Sequence, residues 1–154
     1  MALEIFEELV VHAPPDDVFA LVASVEGMRL FEGYGMIPGI ARVEPSTAAR
    51  GVGTEDVVHN TDGTTHPERV VEHEPPRIYA VAIGPFEPPF GRLVRGIAER
   101  WELDEEGAAT RVRRRFTFTP RGGVGALVLK LIVLPQFRRA VRRNHLALKV
   151  ALEG

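Results

Sequence analysis

The 154-residue chain contains no cysteine, which excludes disulfides, thiol catalysis and thiolate metal sites. It also lacks a basic excess: 19 Lys and Arg stand against 21 Asp and Glu, a formal net charge of −2. Dedicated nucleic-acid binders usually carry surplus cations, so no nucleic-acid partner is expected. No apolar run reaches the roughly 18–20 residues that a membrane-spanning helix needs. The nearest, Val124 to Leu134, is shorter and holds Lys130. Met1-Ala2-Leu3-Glu4-Ile5 has no basic region leading into an apolar stretch, so a signal peptide is not expected and a cytoplasmic location is the default. Internal repeats, low-complexity segments and linkers are missing, and one domain over residues 1–154 is expected. At 45% apolar and 26% charged residues, the chain has the balance of an ordinary globular protein with a sizeable core.

What is present is a series of short strands closed by one long helix, an α+β order. Leu3, Ile5, Leu9 and Val11 share one strand parity, giving a strand over 3–12 that Pro14 and Pro15 stop. Asp16 and Asp17 favour a helix N-terminus, and Val18, Leu21, Val22 and Val25 recur on one helical face. A second short turn covers Glu26 to Phe31. Strands are expected near 39–46, 53–60, 65–73, 77–84, 94–104 and 109–119. Asp62-Gly63, Glu74-Pro75-Pro76 and Glu105-Glu106-Gly107 supply turns between them, and connections this short favour an antiparallel meander. From Val124 to Leu152 the large apolar residues mostly return at helical spacing. Pro135 is expected to kink or split that helix. Val124 to Leu134 is apolar nearly all round, so more than one of its faces is expected to meet protein or ligand.

The last hairpin permits a specific register. Pairing Trp101 with Val112 also pairs Ile97 with Phe116 and Leu103 with Thr110. Ile97, Trp101, Leu103, Val112, Phe116 and Phe118 then share one face, while Arg100, Glu102, Arg111, Arg113 and Arg115 face water. The same register sets Glu99 opposite Arg114 on the apolar side. An isolated buried charge costs several kcal/mol, so each is expected to neutralise the other.

Three segments carry a family resemblance in their order. The first is a strand leading into Ala13-Pro14-Pro15-Asp16-Asp17-Val18-Phe19-Ala20-Leu21. The second is Glu68-Arg69-Val70-Val71-Glu72-His73-Glu74-Pro75-Pro76-Arg77, and the third is the helix ending Ala147-Leu148-Lys149-Val150-Ala151-Leu152-Glu153. Together they resemble the START/polyketide-cyclase (SRPBCC) superfamily, whose birch-pollen-allergen-like fold is called a helix grip. The resemblance implies a curved seven-stranded antiparallel sheet wrapped around a long C-terminal helix, with two short helices after the first strand. It also implies a cavity for a small hydrophobic or aromatic molecule. Members include aromatase/cyclases, lipid carriers and hormone receptors, so fold alone does not select an activity.

Several side chains are candidates for chemistry or binding. Arg114 offers a cation for a ligand carboxylate or enolate, and Glu99 a group that moves a proton; the plainer alternative is a structural ion pair. His66 and Glu68 share strand parity with Val70 and form an acid–base candidate if they point inward, although Pro67 between them suggests an irregular strand. Tyr34, between two glycines, falls near the cavity mouth in the fold that the resemblance implies. Phe86 and Phe90, on the proline-stiffened loop Pro85 to Phe90, are candidates to cover an apolar cavity. Ile97, Trp101, Phe116, Phe118, Leu127 and Leu131 are expected to wall it. Arg138, Arg139, Arg142 and Arg143 form a basic stripe that is either a solvated face or a dock for anionic membrane. His66 and His73 are seven residues apart on one strand, so they are expected on opposite faces and no metal site is assigned. Without a Gly-rich phosphate loop or dinucleotide fingerprint, no cofactor is assigned either.

Three functional classes remain open. The first is a binder of a small hydrophobic, polyketide- or lipid-like molecule. The second is a cyclase, aromatase or dehydratase acting in the same cavity. The third is a lipid or quinone chaperone that docks on a membrane or partner. Monomer and homodimer are equally compatible with the sequence.

Overall fold

The computed structural model describes residues 3–46 and 49–154. Strand β1 (Leu3–Val11) leads into α1 (Pro15–Val22) and α2 (Val25–Met28). Six strands follow: β2 (Ile40–Glu44), β3 (Glu55–Asn60), β4 (Thr65–Glu74), β5 (Ile78–Ile83), β6 (Val94–Glu106) and β7 (Ala109–Pro120). The closing helix comprises α3 (Gly122–Val128), a π-helical turn (Leu129–Val133) and α4 (Leu134–Glu153). The strands form one antiparallel sheet in the order β1-β7-β6-β5-β4-β3-β2. The meander thus carries β2 to β7, and β1 returns to pair with β7 from Leu3 opposite Phe118 to Val11 opposite Thr110. This is the expected helix-grip arrangement.

Local chemistry explains where the short helices begin. Pro15 occupies the first turn of α1, where a missing N–H costs nothing, and Asp16 and Asp17 lie at the positive end of the helix dipole. Ser24 caps α2: its Oγ accepts from the Gly27 N–H at 3.0 Å. Val18, Phe19 and Val22 turn α1 onto the core.

The β6–β7 register differs from expectation by two residues. Trp101 lies opposite Arg114, Ile97 opposite Phe118 and Leu103 opposite Val112. The turn is only Gly107-Ala108, with Gly107 at φ 64°, a backbone angle that a two-residue hairpin needs and side chains disfavour. A two-residue shift preserves strand parity, so the apolar set still faces inward. Arg100, Arg111, Arg113 and Arg115 remain on the outer face, where they pair with Glu102, Glu106, Asp104 and Glu4.

Strand β4 departs from regular alternation. Its pairing with β5 shifts between Val70 and Glu72, a bulge that inverts parity beyond it. His73 therefore lies on the same inner face as His66, correcting the opposite-face expectation. The His73 ring packs against Phe19 and Tyr79, with centroids 5.4 and 6.2 Å away. The His66 ring packs on Phe86 at 5.1 Å. Seven strand residues span roughly 20 Å, too far for the two imidazoles to share an ion.

Pro135 does not end the closing helix. It sits in the first turn of α4, and just before it the chain widens into the π turn, where the Leu134 N–H donates to the Leu129 carbonyl. The wider turn accommodates a ring that would otherwise meet the carbonyl four residues back. Helix α4 buries Phe137, Ala140, Val141, Asn144, His145 and Leu148, one continuous helical face. The preceding segment buries only Leu129 and Val133 among its large side chains, while Leu127 and Leu131 are exposed. The expectation that more than one face of Val124 to Leu134 meets protein or ligand is corrected accordingly: the protein covers one face and leaves the other exposed.

Candidate functional site

Between the inner face of the sheet and α4 lies a cavity of about 290 Å³, near the lower limit of small-molecule pockets. Its walls are mainly apolar. Val81, Ile97, Trp101 and Phe116 come from the sheet, and Val133, Phe137 and Leu148 from the closing helix. One end is framed by the chain between α2 and β2, the β3–β4 turn and the β5–β6 connection. Phe86 and Phe90 form part of that end, their rings packed edge to face with centroids 4.9 Å apart. The Glu87 carboxylate accepts from the Thr65 N–H at 2.5 Å and ties the two loops together.

A polar cluster stands inside these apolar walls. The Arg114 Nε donates to Glu99 Oε2 at 2.6 Å, Nη2 lies 2.6 Å from the same oxygen, and Nη1 donates to Asn144 Oδ1 at 2.7 Å. The guanidinium carbon lies 3.9 Å from the Trp101 ring centre and 4.7 Å from that of Phe116, so two aromatic faces hold the cation. Glu99, Arg114 and Asn144 are buried, and all three line the cavity. Glu99 faces Phe116 across the ladder, not Arg114. The pair forms diagonally, and that is how it survives the altered register.

Burial pushes the Glu99 carboxyl up, opposed by Arg114 and assisted by the nearby Glu68 charge. Arg114 keeps its proton because guanidinium is far too basic to release it in a folded protein. Beside this cluster on the helix, His145 is buried, its Nε2 has no partner among the described residues, and its ring centre lies 6.2 Å from that of Trp101. Burial, with the Arg114 charge adding to it, pushes the imidazole down to about 3.

A second polar group lies nearer the loops. His66 Nε2 is 3.2 Å from Glu68 Oε2, and its Nδ1 is 3.0 Å from Asn60 Nδ2. Asn60, His66 and Glu68 all line the cavity. Proline at position 67 did not turn this stretch outward: Pro67 pairs with Val57 inside the β3–β4 ladder.

Other candidates lie elsewhere. Tyr34 does not contribute to the wall; its hydroxyl accepts from Arg139 Nη1 at 2.8 Å on the exterior. Phe118 is wholly buried beneath the wall, packed edge to face on Phe137 at 5.0 Å. Leu127 and Leu131 point away from the cavity. The basic stripe is engaged within the protein. Arg138 and Arg142 bind Glu7 at 2.9 and 3.0 Å, and Arg143 binds Glu32 at 3.0 Å. Sequence reasoning missed Asn144, although Phe137, Val141, Asn144 and Leu148 recur at helical spacing. One amide on an otherwise apolar stripe was the signal.

The model of the family described as "Polyketide cyclase / dehydrase and lipid transport" matches residues 3–153. No curated protein sequence matches the chain. Among solved structures, that of Ara h 8.0201 superposes with a TM-score of 0.69 at 15% identity, covering 99% of this chain and 98% of that one. TTHA0849 from Thermus thermophilus gives 0.73 at 17% identity, covering 97% of each. The di-domain ARO/CYC BexL of the BE-7585A biosynthetic pathway gives 0.74 at 15% identity; the match covers 99% of this chain and 50% of BexL. At such identities the shared property is the fold. Among the described residues, no helix is long and apolar enough to cross a membrane.

Proposed function

The chain belongs to the polyketide cyclase/dehydrase and lipid transport family, and on that footing we propose that it binds a small, mainly apolar or aromatic molecule between the sheet and the closing helix. The observation that supports this is the Glu99–Arg114–Asn144 cluster set within otherwise apolar walls. Apolar walls supply affinity without direction, and a few converging polar groups fix orientation. A ligand carbonyl or hydroxyl directed at this cluster meets both a cation and a carboxyl group. Phe86 and Phe90 cover the ligand from the loop end.

A second reading is an enzyme of cyclase, aromatase or dehydratase type. It is favoured by the raised Glu99 carboxyl, which suits a proton donor, held beside a guanidinium able to stabilise developing oxyanion charge. His66, oriented by Glu68, is the matching candidate for proton removal.

Native mass spectrometry of freshly purified protein is expected to reveal a co-purified small molecule. Trp101 is the only tryptophan and lines the cavity, so its fluorescence should respond when anilinonaphthalene sulfonate enters. Absence of both signals defeats the binding proposal. For the enzymatic reading, Glu99→Gln should abolish turnover of a polyketone probe while leaving its affinity within a few-fold. Unchanged turnover would remove Glu99 from the mechanism.

A further inference from the structure

The closing helix begins with an apolar face that none of the described residues covers. Val124 is 79% exposed, Leu127 57%, Leu131 64% and Ile132 50%, while Gly125, Leu129 and Val133 of the same segment are buried. Isolated exposed apolar residues are unexceptional, but these form one contiguous face. Gly125 helps set how that face is presented: a Cβ there would lie 3.0 Å from the Leu93 carbonyl, so a larger residue would push α3 and the β5–β6 connection slightly apart.

Four cations stand on the segments that meet here, the closing helix and the end of the β5–β6 connection that touches it. Arg121 leaves β7 just before α3, and its Nε donates to the Gly91 carbonyl at 2.7 Å. Arg92 and Arg95 flank Leu93, and Lys130 lies on the helix itself. Among the described residues none of the four pairs with a carboxylate, whereas Arg138, Arg142 and Arg143 farther along the helix all do. The sequence has no acidic residue between Glu87 and Glu99, and none from Gly107 to Leu152. In a chain of net charge −2, this end is locally cationic.

We propose that α3, the π turn and Arg92, Arg95, Arg121 and Lys130 form a docking surface for an anionic lipid bilayer. The apolar side chains enter the interfacial layer and the cations meet lipid phosphates. A symmetric second copy suits the face poorly, because a two-fold contact would set these cations against their own counterparts. The docking face adjoins the loop end of the cavity: Leu93, which touches α3, is a cavity-lining residue together with Phe86 and Phe90. A bilayer-resident apolar molecule would therefore enter from the membrane side, a consequence that rests on the cavity being a binding site.

Co-flotation of the full chain with vesicles tests the docking. Binding is expected to phosphatidylcholine vesicles containing phosphatidylglycerol, with little to phosphatidylcholine alone, and it should weaken as salt rises. Leu127→Gln with Leu131→Gln, or Arg92→Gln with Arg95→Gln, should each weaken it roughly tenfold or more. Arg142→Gln, whose partner is Glu7, should change it less than about twofold. The proposal is overturned if the unmodified chain does not float with anionic vesicles, or if the leucine variant floats equally well. It is also overturned if those substitutions alter only self-association in sedimentation equilibrium or only capture of an acidic protein. Anilinonaphthalene sulfonate binding, measured without vesicles in the same variants, should stay unchanged. Absence of that signal in the unmodified protein, together with absence of a co-purified molecule, defeats the cavity reading whatever the vesicles do.

Discussion

Arg114 and His145 occupy neighbouring interior positions under opposite electrostatic conditions. The arginine has a carboxylate, an amide and two aromatic faces, so its charge is matched. The histidine has an apolar surrounding and a nearby cation, so its ring is held neutral, with its pKa down at about 3. An unfolded histidine titrates near 6.5. As pH falls through the window from about 6.5 toward about 3, the unfolded chain takes up the proton that the folded chain refuses, and stability falls. Between pH 7 and pH 5 this contribution amounts to about 2 kcal/mol. Urea unfolding at the two pH values should show that loss in the parent protein, with His145→Leu removing most of it. An equal pH response in both proteins would contradict the assignment.

At the scale of elements, three irregular features stand around the cavity: the bulge in β4, the π turn and the β5–β6 connection. The bulge turns His73 onto Phe19 and Tyr79, and the π turn lets α4 run past Pro135 with its apolar face intact. The connection delivers Phe86 and Phe90 to the open end. Because they sit on a loop at the rim, replacing both with Ala should affect ligand residence more than folding. Stopped-flow release of anilinonaphthalene sulfonate should accelerate roughly fivefold to fiftyfold, with the thermal midpoint lowered by only a few degrees. An unchanged release rate would mean that the two rings do not cover the ligand.

For the molecule as a whole, the first strand and last helix are locked together through Glu7. Burial pushes its carboxyl up, but hydrogen bonds and charge from Arg142 and Arg138 outweigh that and leave it below the usual carboxylate range. A depressed carboxylate pKa gives stability that is present above the unfolded value of about 4.3 and lost as pH falls through the folded one. Glu7→Gln should therefore cost about 1 kcal/mol at neutral pH, allowing for solvent screening at the exposed arginines. In chemical denaturation the difference should shrink as pH falls below the unfolded value of about 4.3; a difference that stays constant as the solution is acidified would show that packing, not charge, is at work.

The order of elements and the inward set Ile97, Glu99, Trp101, Arg114 and Phe116 were legible in the sequence, because strand parity and helix spacing are local periodicities, and the helix-grip class came from the family resemblance of three segments. The two-residue register offset did no harm for the same reason: parity survives an even shift. Tertiary structure alone decided that Asn144 completes the Arg114 cluster, that Glu7 and Glu32 take up the basic stripe, and that Tyr34 lies outside. It also decided that Leu127 and Leu131 face away from the cavity, since periodicity marks a side chain as apolar without saying which surface it meets. Those outcomes depend on partners up to 135 residues apart in sequence, as Glu7 and Arg142 are. Only closure of the sheet around the helix brings such residues together.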